Sequence, residues 1–220
     1  MIELFSEARL PTEYGEHNIY VFREGVLEHT VLVKPNGIEP ALVRIHSKCL
    51  TGEILGSLKC DCGEQLRIAR ERIGEEGGML IYLDQEGRGI GLGNKIKVYA
   101  LQEQGLDTVD SMLALNFEED PRDFNPAADI LEHFDIKSVR LLTNNPKKIS
   151  ALTERGIEVD PEPIKGTVNP HNESYLRTKQ DRMGHILGLT EKHDEFVKRP
   201  RSGNQRKGRE IRKVIPSHSR

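Results

Sequence analysis

Apolar and polar positions alternate over residues 18–23 (NIYVFR) and 30–34 (TVLVK), the period of half-buried strands, with a polar run at 24–29 between them. Pro35-Asn36-Gly37 reads as a turn, and residues 41–46 (ALVRIH) as a third strand completing a small antiparallel sheet. The period then changes. Residues 64–76 place Leu66, Ala69 and Ile73 on one helical face and Arg67, Arg70 and Glu71 on the other, until Gly77-Gly78 stops the helix. Residues 79–83 (MLIYL) form a short apolar run, the signature of a buried strand. A helix over 94–104 carries Ile96, Tyr99 and Ala100 on one face and ends at Gly105; a further helix over 127–134 has Asn125 as its expected N-cap and Pro126 at its first position. A strand at 138–142, a turn at 143–146, a helix at 147–155 and a short strand at 157–159 follow. The pattern predicts an α+β fold: an antiparallel N-terminal sheet followed by strand–helix units.

Composition bounds the class. The chain has 220 residues, 36% hydrophobic and 30% charged, enough to bury a core without disulfides. Its apolar runs fall short of a membrane span, and its N-terminus lacks the long apolar stretch of a secretory signal, so a cytoplasmic location is expected. The net charge of −3 is unevenly spread. Residues 198–220 hold nine Lys and Arg against the single acid Glu210, which leaves the rest near −11. The expected division is a catalytic domain over residues 1–190 and a basic, flexible tail over 191–220. Nucleic acid is not the expected partner despite that tail.

The three cysteines, Cys49, Cys60 and Cys62, cannot pair off among themselves, and their clustering suits metal binding better than a disulfide framework. Cys60 and Cys62 can face one ion if Asp61 lies in a tight turn, with Gly63 lending a permissive backbone. Three thiolates suit zinc. Spacing alone leaves three possibilities: inert buried thiols, a structural site closed by His46, or a catalytic site that keeps its fourth position for water.

Two segments could meet an anion. Residues 86–93 (EGRGIGLG) follow a strand and precede a helix, and bring Arg88 and Lys95, but match neither the dinucleotide nor the P-loop pattern. Residues 143–148 (TNNPKK) lie between a strand and a helix, and two lysines at a helix start oppose its dipole unless an anion is near. Asp120 and Arg122 form either a structural ion pair or an acid/base and electrostatic pair; Tyr99 is either core or catalytic.

Together the segments 44–52 (RIHSKCLTG), 56–63 (GSLKCDCG), 85–91 (QEGRGIG), 99–102 (YALQ), 120–123 (DPRD), 141–148 (LLTNNPKK), 169–176 and 179–187 resemble the GTP cyclohydrolase II family of riboflavin biosynthesis, in its single-domain form. The similarity runs in unbroken order from about residue 2 to residue 187. It implies one Zn2+ per subunit on Cys49, Cys60 and Cys62, whose activated water attacks C8 of the guanine of GTP. Formate and pyrophosphate leave, giving a diaminopyrimidinone ribosylamine 5′-phosphate. The resemblance further implies Mg2+ on the GTP phosphates, a homodimer, Arg122 and Asp120 at the α-phosphate, and Tyr99 near the base. Arg122 corresponds to a proposed nucleophile and Asp120 to its proton acceptor, although a protonated guanidinium favours electrostatic clamping. Nucleotide contacts are implied for Arg44, Ile45, His46, Ser47, Lys48, Gln65, Glu86, Gly87, Arg88, Thr108, Thr143 and Lys148, with Glu86 placed to read the guanine edge. Three positions depart from the family's usual residues: Lys48 stands where glutamate is usual, Asp84 where arginine or a similar polar residue is, and Gly93 where leucine is. The alternatives are a paralogue that opens the GTP ring differently for another pathway, and a catalytically silent nucleotide-binding protein.

Overall fold

The computed structural model describes residues 2–35 and 39–189. The basic tail and most of the expected 35–37 turn lie outside the described residues. The chain opens with β1 (Glu3–Thr12), β2 (Gly15–Glu24) and β3 (Leu27–Lys34), each antiparallel to the next. β4 (Ala41–Ser47) leads through the single turn α1 (Leu50–Glu53) and the long helix α2 (Cys62–Glu76) into β5 (Gly78–Leu83). There follow α3 (Gly91–Gln102), α4 (Thr108–Ala114), α5 (Asn125–His133), β6 (Ser138–Leu142), α6 (Pro146–Thr153), β7 (Glu158–Glu162) and α7 (Glu173–Met183).

All seven strands form one sheet in the order β1-β2-β3-β5-β4-β6-β7. The α+β reading holds, with one correction. The 41–46 strand does not extend the opening antiparallel sheet: β5 pairs antiparallel with β3 and separates it from β4, which runs parallel to both β5 and β6. The crossover through α2 returns β5 beside β4 in parallel, as a strand–helix–strand unit requires.

The central strands are buried on both faces, which explains their continuous apolar character. Val43, Ile45, Met79, Ile81, Val139 and Leu141 face a core shared with α5 and α6, through Ala127, Ile130, Leu131 and Leu152. Leu42, Leu80 and Leu142 face the other way and pack on Ala69 and Ile73 of α2. β1 is an outer strand, mostly exposed and paired to β2 alone. β7 forms the opposite edge, where Pro161 is tolerated because an edge strand can spare a ladder donor.

Local capping differs in one place. Asn125 is the first residue of α5 rather than its cap, a place taken by Phe124, and the Asp123 carboxylate satisfies the otherwise unpaired Asn125 backbone N–H at 2.8 Å. At α6 the expected turn is an N-cap: Asn145 accepts from the Lys147 N–H at 2.9 Å. The parallel strands β4, β5 and β6 all point their carboxyl ends to one edge of the sheet. The cysteine loop, the glycine-rich loop and the 143–148 segment therefore arrive there together.

Candidate functional site: a thiol cluster between two cavities

The Sγ atoms of Cys49, Cys60 and Cys62 lie within 4.8 Å of one another, with Cys49 and Cys60 3.7 Å apart. Cys49 begins the turn α1, and Cys62 begins α2 with Asp61 as the residue before it. Two glycines permit this convergence, by size rather than by unusual dihedrals. A Cβ on Gly52 would sit 2.7 Å from the Cys60 sulfur and 3.3 Å from that of Cys49, and one on Gly63 would collide with the Gly52 carbonyl oxygen. Gly63 thus serves close packing inside α2, rather than the turn flexibility expected of it.

The thiols shape one another's ionisation. Hydrogen bonds from its two thiol neighbours, and then Lys95, hold Cys49 far below its usual range. The same bonds, with burial, push Cys60 up to about 11 and Cys62 well above its usual value. Three thiolates this close need a cation to share, and a soft divalent metal is the group their chemistry fits. His46 does not join them. Its Nε2–H donates to Glu53 Oε1 at 2.9 Å while Arg44 points a donor at its Nδ1 from 3.3 Å. Burial, reinforced by Arg44 and Lys148, lowers His46 to about 4 despite Glu53, so the ring is neutral and the contact is a hydrogen bond rather than an ion pair. Among the described residues the metal-ligating group is the cysteine trio, with no fourth side chain.

A cavity of about 310 Å³ opens directly on the thiols. Ser47, Lys48, Gly87, Arg88, Tyr99, Thr108 and Arg122 line it. Tyr99 is pushed up to about 12, chiefly by burial, and its hydroxyl lies 3.3 Å from that of Thr51, which in turn lies 3.7 Å from the Cys49 sulfur. Gly87 and Arg88 both adopt left-handed backbone, φ 63° and 65°, an uncommon conformation for arginine that turns the loop back over α3. Arg88 reaches the Glu119 carbonyl at 2.9 Å.

A second, smaller cavity of about 70 Å³ adjoins the first, sharing Ser47, Cys62, Arg122 and Tyr175 with it. Arg44, His46, Gln65, Thr143 and Lys148 line this one. Lys148 is buried at the start of α6, its Nζ donating to the Ile45 carbonyl at 2.8 Å. Burial, then Arg44, Arg122 and Lys179, push its ammonium well below the usual range.

Three of the expected contact or catalytic residues line neither cavity. The Ile45 side chain is in the core, and only its carbonyl reaches the site. Glu86 is buried with its carboxylate engaged by the Leu50 N–H at 2.6 Å, the Gly87 N–H at 2.9 Å and Lys95 Nζ at 2.8 Å; no free edge is presented to a base. Asp120 stands behind Arg122, accepting two hydrogen bonds from its guanidinium at 2.6 and 2.7 Å. Burial alone would raise Asp120, but Arg122 outweighs it and depresses the carboxyl; Arg122 is correspondingly raised. The pair stays ionised.

Two of the three unusual positions prove to be partners. Lys48 Nζ and Asp84 Oδ1 form an ion pair of 3.0 Å across the ends of β4 and β5. Gly93 meets nothing within 4 Å, so leucine there is a surface matter.

Comparison with known proteins is decisive at this point. The family model for GTP cyclohydrolase II matches residues 3–163. The chain belongs to the GTP cyclohydrolase II family. GTP cyclohydrolase-2 of Helicobacter pylori (strain Shi470) is 52% identical over 190 residues, 84% of this chain and 98% of that one. GTP cyclohydrolase-2 of Acinetobacter baumannii (strain SDF) is 50% identical over 194 residues, again 84% of this chain and 96% of that one. A solved structure of a two-domain 3,4-dihydroxy-2-butanone 4-phosphate synthase from A. baumannii aligns at TM-score 0.42 and 20% identity, over 76% of this chain and 40% of that one, a likeness too loose to bear on the fold.

The structure of this family member also brings in residues that motif reading passed over. Glu53 accepts from His46 and, at 2.5 Å, from the Tyr82 hydroxyl, anchoring α1 under the cysteine loop. Lys179, Tyr175 and His185 arrive from the C-terminal segment. The resemblance over 169–176 and 179–187 pointed at these stretches without singling out a residue.

Proposed function

We propose that the chain is a GTP cyclohydrolase II: a hydrolase that opens the imidazole ring of GTP, releasing formate and pyrophosphate and leaving the diaminopyrimidinone ribosylamine 5′-phosphate that begins riboflavin biosynthesis. The observation that carries this reading is a trio of thiols at the meeting of a roomy cavity and a small cationic one, in a chain half identical to GTP cyclohydrolase-2 enzymes along nearly their whole length.

Cys49, Cys60 and Cys62 are the residues that would hold one zinc ion per subunit. When bound there, zinc supplies Lewis acidity and an activated water at neutral pH. The remaining work belongs to the chain. The larger cavity takes the base and ribose, with Tyr99 over the thiol side and Arg88 and Thr108 along the wall. Arg122 sits where the two cavities join and meets the phosphate at which the chain breaks. It acts as a fixed cation there, because a guanidinium held by an ionised Asp120 has no lone pair with which to attack. Asp120 orients it. Arg44, Thr143 and Lys148 face the distal phosphates, and Mg2+ accompanies those phosphates as a hard ion. Glu86 acts through Lys95 and the Leu50 N–H to fix the cysteine loop, rather than by reading guanine directly. The Lys48–Asp84 pair ties the two loops together. A homodimer in the cytoplasm completes the reading; the described residues contain no helix long and apolar enough to cross a membrane.

The test is product identification. Purified protein with GTP, zinc and magnesium should yield formate, pyrophosphate and the pyrimidine by mass spectrometry. Pyrophosphate release with C8 retained would assign the chain to a different ring chemistry.

A further inference from the structure

We propose that Lys179 and His185, with Asn145, complete the small cavity as a socket for the distal phosphoryl groups of the substrate, so that the C-terminal helix supplies part of the binding site. This rests on the functional reading above for the identity of the substrate, though not for the existence of an anion site. Both Lys179 and His185 lie beyond residues 3–163, the stretch matched by the family model.

Three observations converge. The first is orphaned donors. Five buried side-chain nitrogens among the described residues have no hydrogen-bond partner, and three of them, Arg44 Nε, Asn145 Nδ2 and His185 Nε2, belong to residues lining this one cavity. Arg44 and Asn145 are each only 4% exposed, so bulk water does not satisfy them cheaply. The second is charge. Arg44, Arg122, Lys148 and Lys179 all line the cavity, and the carboxylates that face them are Asp61 and Asp120. Asp120 is committed to Arg122, and Asp61 shares its oxygens between Gln65 at 2.6 Å and Lys179 at 3.3 Å. Even with the Lys148 ammonium pushed down by burial, the three cations Arg44, Arg122 and Lys179 outnumber the two carboxylates in a buried place, a costly arrangement unless an anion is to be bound there. The third is size. A cavity of about 70 Å³ has less than a quarter of the room of the one beside it, at about 310 Å³, which suits it to a phosphoryl group and leaves the base to the larger cavity.

The helix that brings Lys179 is firmly placed. Arg182 pairs with Asp107 and with Asp110 of α4, Arg88 Nη2 meets Met183 Sδ at 3.2 Å, and the Ile186 N–H donates to the Asn144 carbonyl at 3.0 Å. Lys179 has donors to spare, because its Asp61 contact is long and an ammonium carries three N–H groups. The His185 ring is neutral, lowered to about 3 by burial and then by Lys179, Arg122 and Lys148, and a neutral imidazole can still donate one hydrogen bond.

The experiment uses the zinc-loaded full chain and calorimetric titration with pyrophosphate, alongside guanosine as a ligand that lacks the phosphates. In K179A the pyrophosphate Kd and the KM for GTP should rise about ten- to hundredfold, the loss expected of a charged hydrogen bond. H185A should raise both about three- to tenfold, as a neutral donor would. Guanosine binding and zinc content should match the wild type, a split that a merely structural role would not produce. If K179A loses zinc or melts early because Asp61 is left unpaired, H185A decides, since it breaks no ion pair. Wild-type affinity for pyrophosphate in both variants, or no saturable pyrophosphate binding in the wild type, overturns the proposal. Lys179-dependent pyrophosphate binding in a protein that releases no formate from GTP would keep the socket and sink the enzymatic reading instead.

Discussion

Gly52→Ala separates metal binding from folding more cleanly than removing a cysteine does. The new Cβ would lie 2.7 Å from the Cys60 sulfur, 3.3 Å from that of Cys49 and 3.4 Å from Cys62 Cβ. Reaching an ordinary contact of 3.4 Å requires Cys60 to retreat by about 0.7 Å, whereas metal–ligand distances tolerate about 0.2 Å. The trio cannot make that move and still close on one ion. Gly52 is not among the residues with positive φ, and it lies within the turn α1, so alanine suits its backbone and could add up to about 1 kcal/mol of helix preference. The two effects have opposite signs. Forfeiting one of three thiolate contacts from a total of ~10–16 kcal/mol costs on the order of 3 kcal/mol or more, at least about a hundredfold in zinc Kd. Competition against a chromophoric chelator measures the affinity, and thermal melts with and without EDTA measure the fold. The apo-protein should melt at or above the wild-type temperature, and zinc should add little. A zinc affinity within about threefold of wild type would refute the account of Gly52 as the spacer that sets the cluster.

Other consequences concern charge and backbone. His46 is neutral in the fold with a value of about 4, against 6.5 for the free side chain, so the unfolded chain takes up the proton first on acidification. Its contribution is complete above about pH 6.5 and is lost as pH falls to about 4, by about 3 kcal/mol in all; in EDTA, H46Q should flatten that part of the melting-temperature profile, and an unchanged slope would contradict it. Asp120→Ala leaves the buried Arg122 unpaired and should cost about 3–5 kcal/mol in urea unfolding, together with most turnover; a loss below about 1 kcal/mol would show the pair to be dispensable. Gly93→Ala fills open space in α3, and should raise stability by up to about 1 kcal/mol with GTP turnover unchanged, as melts and product assays would show.

The legible parts of this protein are those whose determinants lie close together along the chain. Cys49, Cys60 and Cys62 fall within one short segment, so their proximity is legible from spacing, although Glu86, Lys95 and Tyr82 hold that segment in place. The helix α2 and the strands β5 and β6 were readable because their apolar spacing reports directly which faces are buried. Periodicity says that a strand is buried but not beside what, which is why β4 was expected next to β3 when β5 takes that place. It is silent too on β1, whose residues are mostly exposed, and on α4 and α7, the one short and the other strongly polar, which Arg182 ties together through Asp107 and Asp110.

Site roles divide along the same line. The sequence by itself determined that three thiols, a glycine-rich loop and a lysine-bearing turn exist, and at what spacing. Which side chains are free to meet a ligand was decided only in three dimensions. Glu86 has the right chemistry to meet a nucleobase, but Leu50, Gly87 and Lys95 engage its carboxylate; Asp120 keeps the ionised form that a proton acceptor needs, with both its oxygens on the Arg122 guanidinium. Asp61 and Lys179 stand 118 positions apart and meet only because α7 folds back over the sheet's carboxyl edge. Local spacing is encoded in covalent geometry, whereas burial, partnering and charge balance depend on which surfaces the whole chain brings together.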